Sequence, residues 1–168
     1  EGIFYLSMAY LEKGDEVLVP NPGYPVYATA AKLCGARVVN YKLSKHNGWY
    51  PDIEELSRLM NKRTKLIWIN YVNMPTGVDF YYEKVKAILE LARKRGVIVC
   101  NDNPYSLILN DNPQSALQYG YDNVIELNSL SKTYNMAGWR IGMLLGNERY
   151  INSVMKVKSN VDSGMFMP

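Results

Sequence analysis

Residues 65–100, KLIWINYVNMPTGVDFYYEKVKAILELARKRGVIVC, decide the fold class. The run from Lys65 to Tyr71 is rich in Ile and aromatic residues and reads as a strand. Asn73-Met74-Pro75-Thr76-Gly77 interrupts it, because Pro and Gly punctuate a chain into loops. From 81 to 95 the apolar positions Val85, Ile88, Leu89, Leu91 and Ala92 recur at helical spacing. Arg93-Lys94-Arg95-Gly96 then places cations where a helix carboxyl terminus favours them. Val97 to Cys100 is the next buried strand. Strand, helix and strand in this order form a β-α-β unit, whose two strands run parallel.

The same alternation extends in both directions. Residues 3–11 read as a helix closed by Lys13-Gly14-Asp15, where Gly supplies the left-handed conformation that ends a helix. Val17-Leu18-Val19 is a short strand bounded by Pro20-Asn21-Pro22-Gly23, with Tyr24 on the loop that follows. A helix over 26–34 stops at Gly35, and Arg37 to Tyr41 is another strand. Asp52 is placed to cap a helix over 52–60, with Ile53, Leu56 and Leu59 on its apolar face. Residues 124–128 and 141–145 read as two more strands, and a helix over 148–159 follows. Between Ser129 and Trp139 the chain carries no helical pattern and is too short for a parallel crossover, so one strand is expected to be antiparallel. The expected fold is α/β: three layers, with helices on both faces of a mostly parallel mixed sheet. A single domain over 1–168 is the simplest partition. The chain is helical by Ile3 without an initiator Met and stops at Pro168 soon after a helical pattern, which suggests a segment of a longer protein.

Composition narrows the function classes. Apolar residues make up 48% and charged residues 21%, an ordinary globular balance, so neither disorder nor a fibrous repeat is indicated. The 19 basic and 16 acidic residues leave a net charge of +3 and are dispersed, so no nucleic-acid footprint is seen. No window approaches the roughly 18 consecutive apolar residues of a membrane span, and a cytoplasmic location is the default expectation. Cys34, Cys100 and the single His46 are too few for a disulfide framework or a Cys/His zinc site, so no metal is expected. The 14 tyrosines are the unusual count, and such amphipathic rings suit a binding site or a subunit interface.

Ligands of open α/β sheets bind beyond the carboxyl ends of the strands. Four loops there carry distinctive residues: Asn21-Pro22-Gly23-Tyr24, Asn73 to Gly77, Asp102-Asn103-Pro104-Tyr105, and Ser129-Leu130-Ser131-Lys132 running on to Gly138-Trp139-Arg140. Ser129-Leu130-Ser131-Lys132 followed by Gly138-Trp139-Arg140-Ile141-Gly142 resembles the cofactor-lysine motif of class I/II (fold type I) pyridoxal-phosphate-dependent aminotransferases. The other loops come in the order and at about the spacings of that family, so the resemblance runs along the whole chain and matches its large, cofactor-binding domain.

The resemblance assigns roles. Lys132 is the catalytic residue, holding pyridoxal 5'-phosphate as a Schiff base and, once released, moving the substrate's α-proton. An amine can do this only when unprotonated, which neighbouring cations favour. Arg140 offers a planar fork of donors to the phosphate, and Ser129 and Ser131 offer hydroxyls, although Ser131 suits a local hydrogen bond equally well. Asp102 follows a buried strand, where a carboxylate calls for a cationic partner; the ring nitrogen is that partner and makes the ring an electron sink. Tyr105 matches the tyrosine that bonds the phenolic oxygen, and Tyr24 the aromatic residue that stacks on the ring. One position departs from the family: many relatives read Asn-Asn-Pro-Thr-Gly, and here the second Asn is Met74. Either Asn73 substitutes for it or Tyr105 carries the interaction alone, with Asn73 then a turn residue.

The resemblance implies transfer of an amino group between an amino acid and a 2-oxo acid, by a homodimer in the full-length protein. The substrate-carboxylate arginine of the family's small domain is not among these residues. Two alternatives stay open: a lyase or decarboxylase on the same scaffold, and a non-catalytic aminotransferase-like module of a transcriptional regulator.

Overall fold

The computed structural model describes residues 1–165; the expected domain end at Pro168 lies outside them. Six strands form one sheet in the order β2-β1-β3-β4-β5-β6. They are β1 (Glu16–Asn21), β2 (Arg37–Lys42), β3 (Thr64–Ile69), β4 (Ile98–Asp102), β5 (Val124–Ser129) and β6 (Gly142–Gly146). Neighbours pair in parallel except β5 with β6, which are antiparallel as the short 129–139 connection requires. The helices are α1 (Gly2–Tyr10), α2 (Pro25–Leu33), α3 (Ile53–Leu59), α4 (Tyr82–Arg95), a single turn α5 (Leu130–Thr133) and α6 (Glu148–Val161).

The two-residue period of each strand sorts its side chains between the helical layers. Val17, Val19, Leu66, Trp68, Cys100 and Ile125 pack with side chains of α1, α2 and α6. Leu18, Ile67, Ile69, Val99 and Val124 pack on the other face with α3 and α4. Helix ends follow local chemistry. The Asp52 carboxylate accepts the Glu55 N–H at 2.8 Å to open α3. Gly96, at φ 69°, closes α4 in the left-handed conformation that the basic run leads into.

The expectation of no helix between Ser129 and Trp139 is corrected in detail. Beside α5, Ala137–Trp139 forms a 3₁₀ turn. Such turns are too short to show an apolar period. α5 forms because the Ser129 hydroxyl accepts the Ser131 N–H at 3.2 Å, which satisfies a donor of its first turn.

At the amino end of the sheet Glu16 is fully buried and accepts Arg37 at 2.6 Å, Arg63 at 2.9 Å and Asn61 at 2.8 Å. Burial pushes its carboxyl up. The hydrogen bonds from Arg37 and Asn61 and the charges of both arginines outweigh burial and hold it below the usual range. The folded state therefore binds fewer protons than the unfolded chain. This contribution to stability is fully present above the ordinary glutamate value of 4.5 and is lost as pH falls through the lowered one. The two ends of the pair differ. Both arginine side chains are exposed, 63% and 65%, and would rehydrate if Glu16 were removed. Replacing both by alanine leaves the carboxylate buried without a cation and is expected to cost about 3–5 kcal/mol. Glu16→Ala should cost less, about 1.5–3 kcal/mol. Urea denaturation of both variants at neutral pH checks the order.

Candidate active site

The connections part around β1: it leads to β2 on one side, and β2 leads back past it to β3 on the other. A crevice opens at the carboxyl ends of strands where connections part in this way. A cavity of about 600 Å³ lies there. Tyr24 and Tyr105 wall it from the loops after β1 and β4, Asp102 from the last position of β4, and Ser129, Lys132 and Arg140 from the β5–β6 connection. Ser131 also faces it. Residues more than a hundred positions apart in sequence are thus brought to one wall.

Asp102 is the electrostatic centre. Its Oδ2 accepts the Tyr27 hydroxyl at 2.7 Å, and among the described residues none donates to Oδ1. Burial pushes this carboxyl above its usual range, an effect the Tyr27 hydrogen bond reduces but does not cancel. Asn70 fixes the backbone beneath it. Its amide donates to the Asp102 carbonyl at 2.6 Å, and its own carbonyl accepts the Met74 N–H at 2.7 Å, so one side chain ties the loop after β3 to the end of β4. Tyr105, three residues beyond, is held protonated by burial and by the Asp102 charge. The Tyr24 ring is 40% exposed and stands edge-on to Tyr27, with centroids 5.6 Å apart, leaving area free to face a ligand.

The β5–β6 connection presents positive charge and hydroxyls. Arg140 adopts φ 54°, a left-handed conformation that costs a non-glycine residue of the order of 1–2 kcal/mol and that points to a functional constraint. Its Nη1 donates to the Ala137 carbonyl at 2.7 Å, closing the 3₁₀ turn onto the side chain. Gly142 starts β6 because a Cβ there would stand 2.8 Å from the Asn128 carbonyl oxygen. Gly142→Ala is therefore expected to push β6 off β5 and cost about 1–3 kcal/mol, together with weaker anion binding at Arg140. Thermal denaturation and phosphate titration of the variant read the two effects.

Asn73, expected either to bond the phenolic oxygen or to serve as a turn residue, sits in the turn. Asn73 is 3% exposed and absent from the cavity wall. Its carbonyl accepts the Thr76 hydroxyl at 2.6 Å, and its backbone closes the turn with Gly77 and Val78. Met74 takes the wall position instead. Tyr27 and Asn70 were missed. Tyr27 sits at an apolar helical position and reads as core, whereas an Asn directly after the buried run at Ile69 was a usable signal.

Fold and site together define a three-layer α/β protein whose cavity pairs a half-buried carboxylate with a lysine, an arginine and aromatic walls. The chain belongs to the aminotransferase class I and II family, whose model matches residues 1–165. It is 43% identical to an LL-diaminopimelate aminotransferase of Dehalococcoides mccartyi, over 98% of this chain and 44% of that protein. It superposes with TM-score 0.93 and 34% identity on substrate-bound BacF of Bacillus subtilis, over 98% of this chain and 43% of the other. With an aspartate aminotransferase mutant of Thermus thermophilus the TM-score is 0.91 at 29% identity, over 97% and 43%. The chain thus spans less than half the length of these relatives. Among the described residues no helix is long and apolar enough to cross a membrane, and no His, Cys, Asp and Glu are grouped to hold a metal ion.

Proposed function

We propose that the whole protein is a pyridoxal-phosphate-dependent aminotransferase, and that residues 1–168 form its cofactor-binding large domain. The observation that carries this reading is Asp102: a half-buried carboxylate with one oxygen on Tyr27 and the other undonated, in the wall shared with Lys132. Such a group calls for a cationic N–H, which the protonated nitrogen of a pyridine ring supplies. When bound, pyridoxal phosphate supplies an electron-withdrawing ring that spreads the negative charge left at the substrate's α-carbon.

Each residue then has a task. Lys132 Nζ would hold the cofactor's aldehyde carbon and, as a free amine, would carry the proton that leaves the substrate's Cα, serving as base and then as acid. Asp102 keeps the ring-nitrogen proton in place. Tyr105 donates to the phenolic oxygen, a task the thioether of Met74 cannot share, and Tyr24 offers its ring face. Arg140 with the Ser129 and Ser131 hydroxyls would hold the phosphate. A homodimer, a cytoplasmic location and a small domain that binds the substrate carboxylate belong to the same reading.

The resemblance to LL-diaminopimelate aminotransferases makes LL-diaminopimelate the first amino donor to test, with a 2-oxo acid as acceptor. Incubating the intact protein with cofactor and single amino acids is expected to release the matching 2-oxo acid and leave the cofactor as its amine. Release of carbon dioxide or ammonia would make it a lyase, and binding without turnover a regulator's module.

A further inference from the structure

We infer that Tyr27 is a positioning residue for the ring-nitrogen contact: its hydroxyl commits Oδ2 of Asp102, turns Oδ1 to the cavity, and so keeps the shared proton on the ligand's nitrogen. The inference rests on the proposed function above and adds a residue to it.

The ring of Tyr27 has little freedom. It is 1% exposed on the first turns of α2, stacked on Trp68 with centroids 4.7 Å apart and planes 6° from parallel, and met edge-on by Tyr24 at 81°. A rotamer locked in this way delivers the hydroxyl to one place, 2.7 Å from Oδ2. The backbone below the carboxylate is fixed separately. Asn70 holds the Asp102 carbonyl, while Asn101 and Asn103 on either side both donate to the buried Glu126, at 2.8 and 3.1 Å. With main chain and one oxygen both fixed, the remaining oxygen has one direction.

Proton location follows from basicity. A carboxylate and a pyridine nitrogen that share one proton divide it according to which is the stronger base. A hydroxyl donating to the carboxylate weakens it as a base and leaves the proton on the nitrogen. The surroundings offer little else to do this. Tyr105 and Cys100 are kept protonated by burial and do not bond the carboxylate. Burial and the Asp102 charge keep Tyr27 itself protonated, so the donor is in place at neutral pH.

The test uses the intact protein loaded with pyridoxal phosphate carrying ¹⁵N in the ring, whose nitrogen resonance separates protonated from unprotonated forms. In the native protein the ring nitrogen should be protonated at neutral pH. Tyr27→Phe keeps the stack on Trp68 and is expected to lower the ratio of protonated to unprotonated nitrogen by about tenfold. Cys100→Ala, which alters packing beside Asp102 and spares both the hydroxyl and its stack, should leave the resonance in place. Should Tyr27→Phe not fold, 3-fluorotyrosine at position 27, a stronger donor, is expected to raise the ratio of protonated to unprotonated nitrogen at neutral pH. A ring nitrogen that responds equally to Cys100→Ala, or not at all to either change at position 27, overturns the inference while leaving the cofactor assignment intact. A native protein that takes up no cofactor overturns both.

Discussion

Lys132→Ala is expected to slow amino transfer by at least about 10²–10⁴-fold, the range contributed by a positioned acid–base group. The fold should not register the change. Lys132 is exposed on the single-turn α5, so its removal should alter stability by no more than about 0.5 kcal/mol in either direction. Noncovalent cofactor binding should also persist, because Asp102, Arg140, Ser129 and Tyr24 are untouched. Stopped-flow measurement of the first half-reaction, with circular dichroism for the fold, separates a lost proton carrier from a lost structure. Adding small primary amines should restore part of the rate in Lys132→Ala, since the missing group is then supplied from solution.

Asp102→Asn should have the second largest effect, a fall in kcat of about 10²–10³-fold, comparable with losing one preorganised charge partner in a dry site. Its effect on stability has the opposite sign. The Asp102 carboxyl is raised above its usual range by burial, so without cofactor the folded state binds more protons than the unfolded chain. The charged form therefore costs stability at neutral pH, and the cost is relieved as pH falls through the raised value. Asp102→Asn removes that charge at nearly constant shape. The variant without cofactor is expected to melt higher than the native protein at neutral pH, with the difference closing as pH falls into the carboxylate range. Activity and stability thus oppose each other at this residue, as expected where a charge is held for a ligand. Thermal melts without cofactor, from about pH 4 to 8, test the sign.

What the sequence discloses and what it conceals have different physical origins. The β-α-β alternation is visible because buried parallel strands need continuous apolar runs and amphipathic helices need a 3.6-residue period; residues 65–100 display both. The antiparallel β6 is visible because a connection of that length cannot make a crossover. The cavity residues on loops after strands are visible for a topological reason: the carboxyl ends of β1, β4 and β5 converge whatever the side chains do. The use made of Asn70 and Asn73 is not visible. Asn70 bonds the backbone of two loops that only the fold brings together, and Thr76 engages the Asn73 side-chain carbonyl through a hydrogen bond that needs the folded turn. Tyr27 is hidden for a related reason, since its ring packs in the core while only its hydroxyl reaches the site. Met74 is the reverse case, conspicuous in sequence as a departure and found in the cavity wall.

The bond between Lys132 and the cofactor is covalent and can be read directly. The intact protein, loaded with pyridoxal phosphate and reduced with borohydride, should lose its visible-edge absorbance, and digestion should yield one peptide carrying the reduced pyridoxyl group, attached at Lys132. A label on another lysine, or no label on a protein that still binds the cofactor, would contradict the account.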